Sequence, residues 1–424
     1  MSDNIILYGP PGTGKTFFLQ KKMLDYVDYE LTDDQLNDFC SNNTNDLFRV
    51  CLILLHKRGL MRASEIEQKC SDLGLTLRDS VQTILMRHSL DNLDRRSFPQ
   101  QITDELRTPP YLFIEHNNET WCLDMLSFRN TYPDFYNDSL QTTRRYTFVT
   151  FHQSFSYEDF VEGIRPEYNN ATHSIDYSPK SGIFKTLCEE ADGKKQRYAI
   201  FIDEINRGNI PEIFGELISL IESDKRKGQP NELSVKLPYS KSEFFIPDNV
   251  DIIGTMNSAD KSIGAIDTAL RRRFKFKPML PCSNTLKSTL EANGINPSDV
   301  GGIDVIEMFK TLNKRIELLL DGNHTLGHAI FMPIRTADDV VNIIRENVIP
   351  LLEEFFSNDL QKIQMVFNDL DADGIVRDCA VYTCEELRYS DMFAFQGDYL
   401  LEDKKHYFVN PNLNADCLKH IYGN

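Results

Sequence analysis

Gly9-Pro10-Pro11-Gly12-Thr13-Gly14-Lys15-Thr16 follows a short apolar stretch, Asn4–Tyr8, and opens a run that reads as an amphipathic helix to about Val27. The spacing is that of G-x-x-x-x-G-K-[ST]. Glycines at such a turn let main-chain N–H groups converge on a β-phosphate. Lys15 adds charge to the β- and γ-phosphates, and the Thr16 hydroxyl can ligate magnesium. At ordinary residue frequencies chance yields this pattern in about 1–2% of chains this long. The strand before it and the helix after it lower that further, so an ordinary glycine turn is set aside and residues 9–16 are read as a phosphate cradle.

Hydrolysis needs acids and polar groups at the same edge of the sheet. Ala199-Ile-Phe-Ile-Asp203-Glu204 is an apolar run ending in two carboxylates, as a buried parallel strand would deliver them. Asp203 is read, with Thr16, as the magnesium site, and Glu204 as the group that polarises the attacking water. Alone this pattern is weak; downstream of a phosphate loop it is strong. Thr255-Met-Asn257-Ser-Ala-Asp260 ends the next apolar strand. Asparagine at a strand end is more often a turn former, but this position suits an amide that orients the attacking water, the role expected of Asn257. Arg271-Arg272-Arg273 closes a short helix. The three could complement its dipole or reach a γ-phosphate held by a neighbouring subunit. Arg271 and Arg272 are carried as catalytic candidates, although consecutive helical residues point about 100° apart and spacing does not choose between the three.

The rest of the chain bounds the setting. Its 424 residues predict roughly two to four domains, and 41% apolar with 26% charged residues marks a globular protein. No apolar stretch approaches the ~20 residues of a membrane helix, and the amino terminus has no basic region leading into one, so export is not expected. Nine scattered cysteines without a C-x-x-C pair suit a reducing cytoplasm and disfavour structural zinc. A net charge of −18 argues against nucleic acid coating the whole surface.

Residues 28–45 are acidic and polar and read as a linker, with room for one short helix. Residues 46–125 read as three helices and a hairpin, the pattern of a winged helix. Its third helix carries Arg78 and Arg87 as possible DNA contacts, but acids slightly outnumber bases there, which favours protein docking. Tyr157–Pro166 reads as a short helix or turn. Ile210, Ile213, Phe214, Leu217, Ile218 and Ile221 form one helical stripe, and Leu233–Ile246 a hairpin. Cys282–Phe367 is mostly helical. Asp369-Leu-Asp371-Ala-Asp373-Gly374 opens like a calcium loop, but Ala380 stands where the bidentate Glu belongs. Of the histidines near Gly322 and Gly327, His328 is the one placed to sense nucleotide.

Together FHQSFSYEDFVEGIRP, FIDEINRGNIPEIFGELISLIESDKR, IIGTMNSADKSIGAIDTALRRRF and LGHAIFM resemble the McrB-type GTPase subunit of methylation-dependent (type IV) restriction systems, a branch of the AAA+ superfamily. The likeness covers about 4–27 and 145–367. It implies an α/β fold of the AAA+ P-loop class, a parallel sheet flanked by helices with a helical lid, interrupted by the winged-helix-like insert. The expected parts are 1–27 and 140–281 for the α/β core, 28–139 for the insert, 282–370 for the lid and 371–424 for a carboxyl-terminal extension. It also implies hexamers that hydrolyse GTP with Mg2+ and recruit an McrC-type nuclease that cuts DNA. Asn206, Arg207, Asp260 and the arginines 271–273 would lie near the subunit interface. Family members usually carry a DNA-recognition domain ahead of this module; here the first strand starts at residue 4, and the insert is the expected place for target recognition or for docking a separate reader. A MoxR-like ATPase that remodels a protein partner is the alternative, with ATP in place of GTP.

Overall fold

A computed structural model describes residues 2–57, 59–90, 107–116, 119–170, 173–260, 268–393 and 403–423. The chain divides into two compact units: Met1–Leu19, Phe148–Lys194 and Ile200–Asn424 in one, Gln20–Thr147 with Lys195–Ala199 in the other.

In the first unit, near-continuous apolar runs make buried strands. Ile6, Leu7, Ile200, Phe201, Ile252 and Ile253 are all shut off from solvent, as in a sheet covered on both faces. Five strands form a parallel sheet in the order Lys275–Pro278, Asn4–Gly9, Val250–Asn257, Tyr198–Asp203, Tyr146–Thr150. Asn4–Gly9 lies between strands some 250 residues downstream, and its register sets Gly9 opposite Asn257. Beyond the sheet, helices Ser283–Ala292, Val305–Leu319, Ala337–Ile343, Ile349–Phe355 and Leu360–Phe367 close on Phe309, Leu312, Phe331 and Leu352 to make the lid.

The first helix ends at Met23, short of the expected Val27, because the chain turns at Leu24–Tyr26 and enters a strand, Val27–Glu30. The stripe expected over 210–221 is broken. Ile210–Phe214 is α-helical and Gly215–Ser219 is a 3-10 turn, with Gly215 at φ +51° where the Tyr157 ring stands against its Cα. Leu220 replaces Ile218 on the buried side. The segment after Tyr157–Phe160 is a long hairpin, Glu162–Asn169 with Ser174–Ser181, and not merely a helix or turn. Its prolines and missing Asn-Gly turn hide it from periodicity. Asp369 is fully buried, and its carboxylate accepts the Val381 and Tyr382 N–H groups and pairs with His420, so it fixes the carboxyl-terminal extension. The cysteines, expected to suit a reducing compartment, include a Cys379–Cys417 disulfide whose 38-residue separation carries no spacing signature.

In the second unit, Val27–Glu30 pairs antiparallel with Gln141–Arg144, and Arg145 holds Asp28 at 2.8 Å. The region read as a linker thus contains a strand and a helix, Asp33–Asn42, capped reciprocally by Thr32 and Gln35. Only Leu36 and Cys40 of that helix are buried, too sparse a pattern to show as amphipathic. Helices Asp46–Lys57, Ala63–Asp72 and Val81–Arg87 pack with a three-stranded sheet, Met61–Arg62, Thr120–Leu123 and Phe113–His116, around Leu54, Ile66, Leu85 and Trp121. The order helix, strand, helix, helix, strand, strand is that of a winged helix. Arg87 is engaged by Asp79 at 2.8 Å.

One buried ion pair anchors the hairpin. The Glu162 side chain is wholly buried, with Lys185 Nζ at 2.8 Å and the N–H groups of Tyr239 and Ser240 at 2.9 Å. Burial pushes its pKa up, but the ammonium and these donors outweigh it and hold it at about 2. A carboxyl depressed from 4.5 contributes stability above that pH, and the contribution disappears as pH falls through about 2. Lys185→Met leaves a buried carboxylate without its cation. Denaturant melts at neutral pH should show a loss of about 3–5 kcal/mol, and the wild type's advantage over this variant should shrink as pH falls below 4.5.

Candidate functional site

Main-chain geometry builds the phosphate loop. A Cβ at Gly9 would sit 2.1 Å from Met279 O, so only glycine lets the strand run out beside that carbonyl. Gly12 and Gly14 adopt φ of +73° and +81°, which glycine reaches without strain. Lys15 folds back over the turn, its Nζ donating to Gly9 O at 2.8 Å and Pro10 O at 2.7 Å, while the Thr13 hydroxyl donates to Pro10 O. Burial draws the Lys15 pKa down to about 8, against the nearby carboxylates of Glu204 and Asp203. The cation thus already faces the two acids. Thr16 stands exposed on the first turn of the helix.

The acids are held by the neighbouring strand. Tyr198–Asp203 ends at Glu204, whose φ of +53° places a non-glycine residue in the left-handed region, a conformation that costs on the order of 1–3 kcal/mol. What offsets it is a set of bonds to Val250–Asn257. The Thr255 hydroxyl accepts the Glu204 N–H at 3.2 Å and donates to Asp203 Oδ1, and Asn257 Nδ2 donates to Glu204 Oε1 at 2.5 Å. Arg207 Nε lies 3.5 Å from Glu204 Oε2, and its Nη2 reaches Asp260 at 3.3 Å. Burial raises the Glu204 pKa; Arg207 opposes this, and Asp203 and Asp260 add to it. A carboxylate whose proton affinity is raised this way is better suited to take a proton from water.

Sequence reading assigned Thr255 no role, although it is buried and binds both acids. The available signal was a hydroxyl two positions before Asn257 in an otherwise apolar strand. Asn206, expected near a subunit interface, is buried instead and donates to Asn257 O at 3.4 Å. The turn Ile205–Arg207 directs it back toward the strand ends. The three arginines separate. Arg273 is internal, its side chain 7% exposed against Glu222 at 2.8 Å; Arg271 lies over the Phe276 ring, and Arg271 and Arg272 are both exposed.

The lid closes directly on the loop. Gly327 lies against Gly12 and Pro11 so tightly that a Cβ would fall 2.0 Å from Gly12 C, and Ala329 N–H donates to Gly12 O at 2.9 Å. His328 is buried and accepts the Cys282 N–H on Nδ1, which places its proton on Nε2, the nitrogen that faces Gly14. A cavity of about 390 Å3 opens between Pro11, Arg207, Asn257 and Asp260 on one side and His324, Glu354 and Phe355 of the lid on the other. Among the described residues no group of three His, Cys, Asp or Glu side chains forms a metal cluster. A cation shared by one hydroxyl, one carboxylate, waters and phosphate oxygens requires none. The donor set fits magnesium, since Thr255 occupies Asp203 Oδ1 and leaves Oδ2 for a hydrated ion.

The AAA domain of the dynein-related subfamily matches residues 136–274, and the McrB alpha-helical lid domain matches 304–364. The first match begins at residue 136, in the last residues of the insert, and so leaves out the phosphate loop. The Type IV methyl-directed restriction enzyme EcoKMcrB subunit of Escherichia coli is 36% identical over 245 residues, covering 54% of this chain and 51% of that protein. The Type II restriction enzyme BsuMI component YdiS of Bacillus subtilis is 29% identical over 140 residues, 28% of this chain and 38% of its own length. The chain thus spans about half, or less, of the length of these relatives. A solved structure from Cytophaga hutchinsonii named as an ATPase aligns over 50% of this chain and 63% of its own at 12% identity, with a TM-score of 0.23, too slight a likeness to bear on the fold. Sheet order, lid and sequence likeness agree in making the chain similar to the McrB-type branch of the AAA+ proteins.

Proposed function

We propose that the chain hydrolyses a nucleoside triphosphate, GTP in preference to ATP, as the ring-forming motor of a DNA restriction system whose cutting subunit is an McrC-type nuclease. The observation that carries this is the bonded set Asp203, Glu204, Thr255 and Asn257 standing beside Gly9 and Lys15 at one sheet edge. The loop N–H groups of residues 12–16 and the Lys15 ammonium bind the β- and γ-phosphates. Thr16 and Asp203 would hold magnesium, which supplies charge neutralisation across the phosphates. Glu204 accepts a proton from the water that Asn257 helps orient, and Arg271 or Arg272 of an adjoining copy stabilises the charge that develops.

Preference for GTP, the hexameric ring, the nuclease partner, contact with DNA through the complex and a cytoplasmic setting rest on the McrB-type likeness and on the restriction functions named for both relatives. No helix among the described residues is long and apolar enough to cross a membrane. Competition between GTP and ATP for the purified chain separates this reading from a protein-remodelling ATPase, since clear preference for ATP favours the latter.

Glu204→Gln should leave nucleotide bound and unhydrolysed, with the chain trapped in its assembled mass; turnover at the wild-type rate would sink the assignment. Thr255→Val keeps the shape of the side chain but removes both bonds. Steady-state rates should fall about 10–100-fold with triphosphate affinity little changed. Lys15 must be charged to hold phosphate, and its pKa of about 8 should rise when phosphates surround it. Binding therefore takes up a proton, and calorimetry should find affinity weakening as pH rises past about 8, with Lys15→Met abolishing both binding and that dependence.

A further inference from the structure

Helix Thr268–Arg271 is four residues long, and a helix that short has little rigidity of its own. The aim of Arg271 and Arg272 therefore depends on how the chain beside them is fixed. Arg273 N–H donates to Leu270 O at 2.9 Å and closes the turn, and Leu270 and Phe274 are buried. The Arg273 side chain runs inward, with Nη2 2.8 Å from Glu222 Oε1. Glu222 is set in turn by Lys225, whose Nζ lies 2.7 Å from the other carboxylate oxygen. The Arg273 carbonyl accepts Asn4 Nδ2 at 3.1 Å.

These bonds join segments far apart in the chain. Asn4 opens the strand whose last residue, Gly9, begins the phosphate loop. Its side chain also donates to Ile221 O at 2.6 Å and accepts from Arg226 Nη2 at 2.9 Å. Arg226 bonds Ile221 O as well, so the main chain beside Glu222 is pinned by a fully buried guanidinium. Glu222 is thus a carboxylate on a fixed base. Arg272 stands close by, sharing a cavity of about 650 Å3 with Ser2, Asn4, Glu222 and Arg273.

Three consecutive cations repel one another, and nothing in their charge decides which of them faces solvent. Consecutive helical residues point about 100° apart, so a roll of the segment would turn Arg273 outward and draw another arginine in. A single acid on one side removes that freedom. It engages Arg273 and leaves Arg271 and Arg272 exposed.

We infer that Glu222 is a positioning residue for the arginines that serve an adjoining copy: by holding Arg273 inward it sets the phase of the triplet and presents Arg271 and Arg272 outward. This rests on the reading that one of those two completes the neighbour's site. Glu222 acts through the arginines it aims, so its effect on hydrolysis belongs to the copy that lends an arginine and not to the copy that holds the nucleotide.

Steady-state kinetics of the full chain, with whichever of GTP and ATP it hydrolyses, test this. Misplacing a group by about 1 Å costs on the order of 100-fold, so Glu222→Gln should lower kcat about 10–100-fold with KM little changed. Two chains, each inactive alone, then separate the roles. Glu204→Gln keeps its arginines but does not hydrolyse; Arg271→Ala with Arg272→Ala keeps its acids but lends no arginine. Mixed, they should recover turnover where the first serves the second. Added to the first chain, Glu222→Gln should cut that recovered rate; added to the second, it should leave the rate unchanged, which also shows that the variant folds. Arg273→Met on the first chain should cost as much, and combining it with Glu222→Gln should cost nothing more, since one pair is broken either way. An unchanged kcat in the single variant, a loss equal on either chain, or losses that multiply in the combination each overturns the positioning role while the arginines of the adjoining copy stand. No recovery on mixing the two chains would overturn the reading of those arginines, and this inference with it.

Discussion

The parallel register between Asn4–Gly9 and Val250–Asn257 is the constraint on which the site depends. It sets the last residue of one strand, where the phosphate loop begins, opposite the last residue of the other, where Asn257 stands. A slip of one residue would turn Asn257 to the other face of the sheet and part it from Glu204. The register is held by the buried Ile6, Leu7, Ile252 and Ile253 and, at the far end, by Arg226. That guanidinium is fully buried and satisfied by Asn4 Oδ1 and the carbonyls of Ile221 and Val250. A buried charge pinned by neutral carbonyls from three segments leaves the first strand little freedom to shift.

From that register follow the electrostatics. Glu204 and Lys15 are each partly removed from water, and burial moves their pKa values toward one another, the acid up and the base down. Such opposed shifts are usual where proton transfer and phosphate binding share a site. The Arg207 guanidinium restrains the rise at Glu204 and is itself shared with Asp260, so the charge of Glu204 is set partly by a residue on the loop that follows Asn257. Gly327 and Ala329, seated on Gly12, tie the lid directly to the phosphate loop.

How far this was legible from residues alone follows from what each signal measures. The phosphate loop, the acidic strand end and Asn257 were readable because each is a short pattern whose chemistry admits few residue types. The buried strands were readable because continuous apolar runs have few other uses. Thr255 was not, since a threonine in a strand is ordinary and its role lies in what its hydroxyl touches across 51–52 residues of chain. Helix Asp33–Asn42 buries only two side chains, and hairpin 162–181 buries none of its apolar face, so neither shows the inside–outside contrast that periodicity detects. Arg273 could not be told from Arg271 until Glu222, distant in sequence, was found beside it.

The insert explains why the site's halves lie so far apart in sequence without harm to the sheet. Val27–Glu30 leaves and Gln141–Arg144 returns as paired antiparallel strands, so the excursion begins and ends at one place. Closing a loop this long adds only a logarithmic entropy cost, and a domain with its own core absorbs the intervening chain. The cost falls on kinetics instead. Asn4–Gly9 has no partner strand until residues 250–257 and 275–278 arrive, and contacts so distant in sequence slow the closing of a sheet. Gly9, Lys15 and the acids meet only in the completed sheet, so a triphosphate bound among them would stabilise that state by mass action. A nucleotide bound there would thereby also favour the assembled sheet over its unpaired precursor.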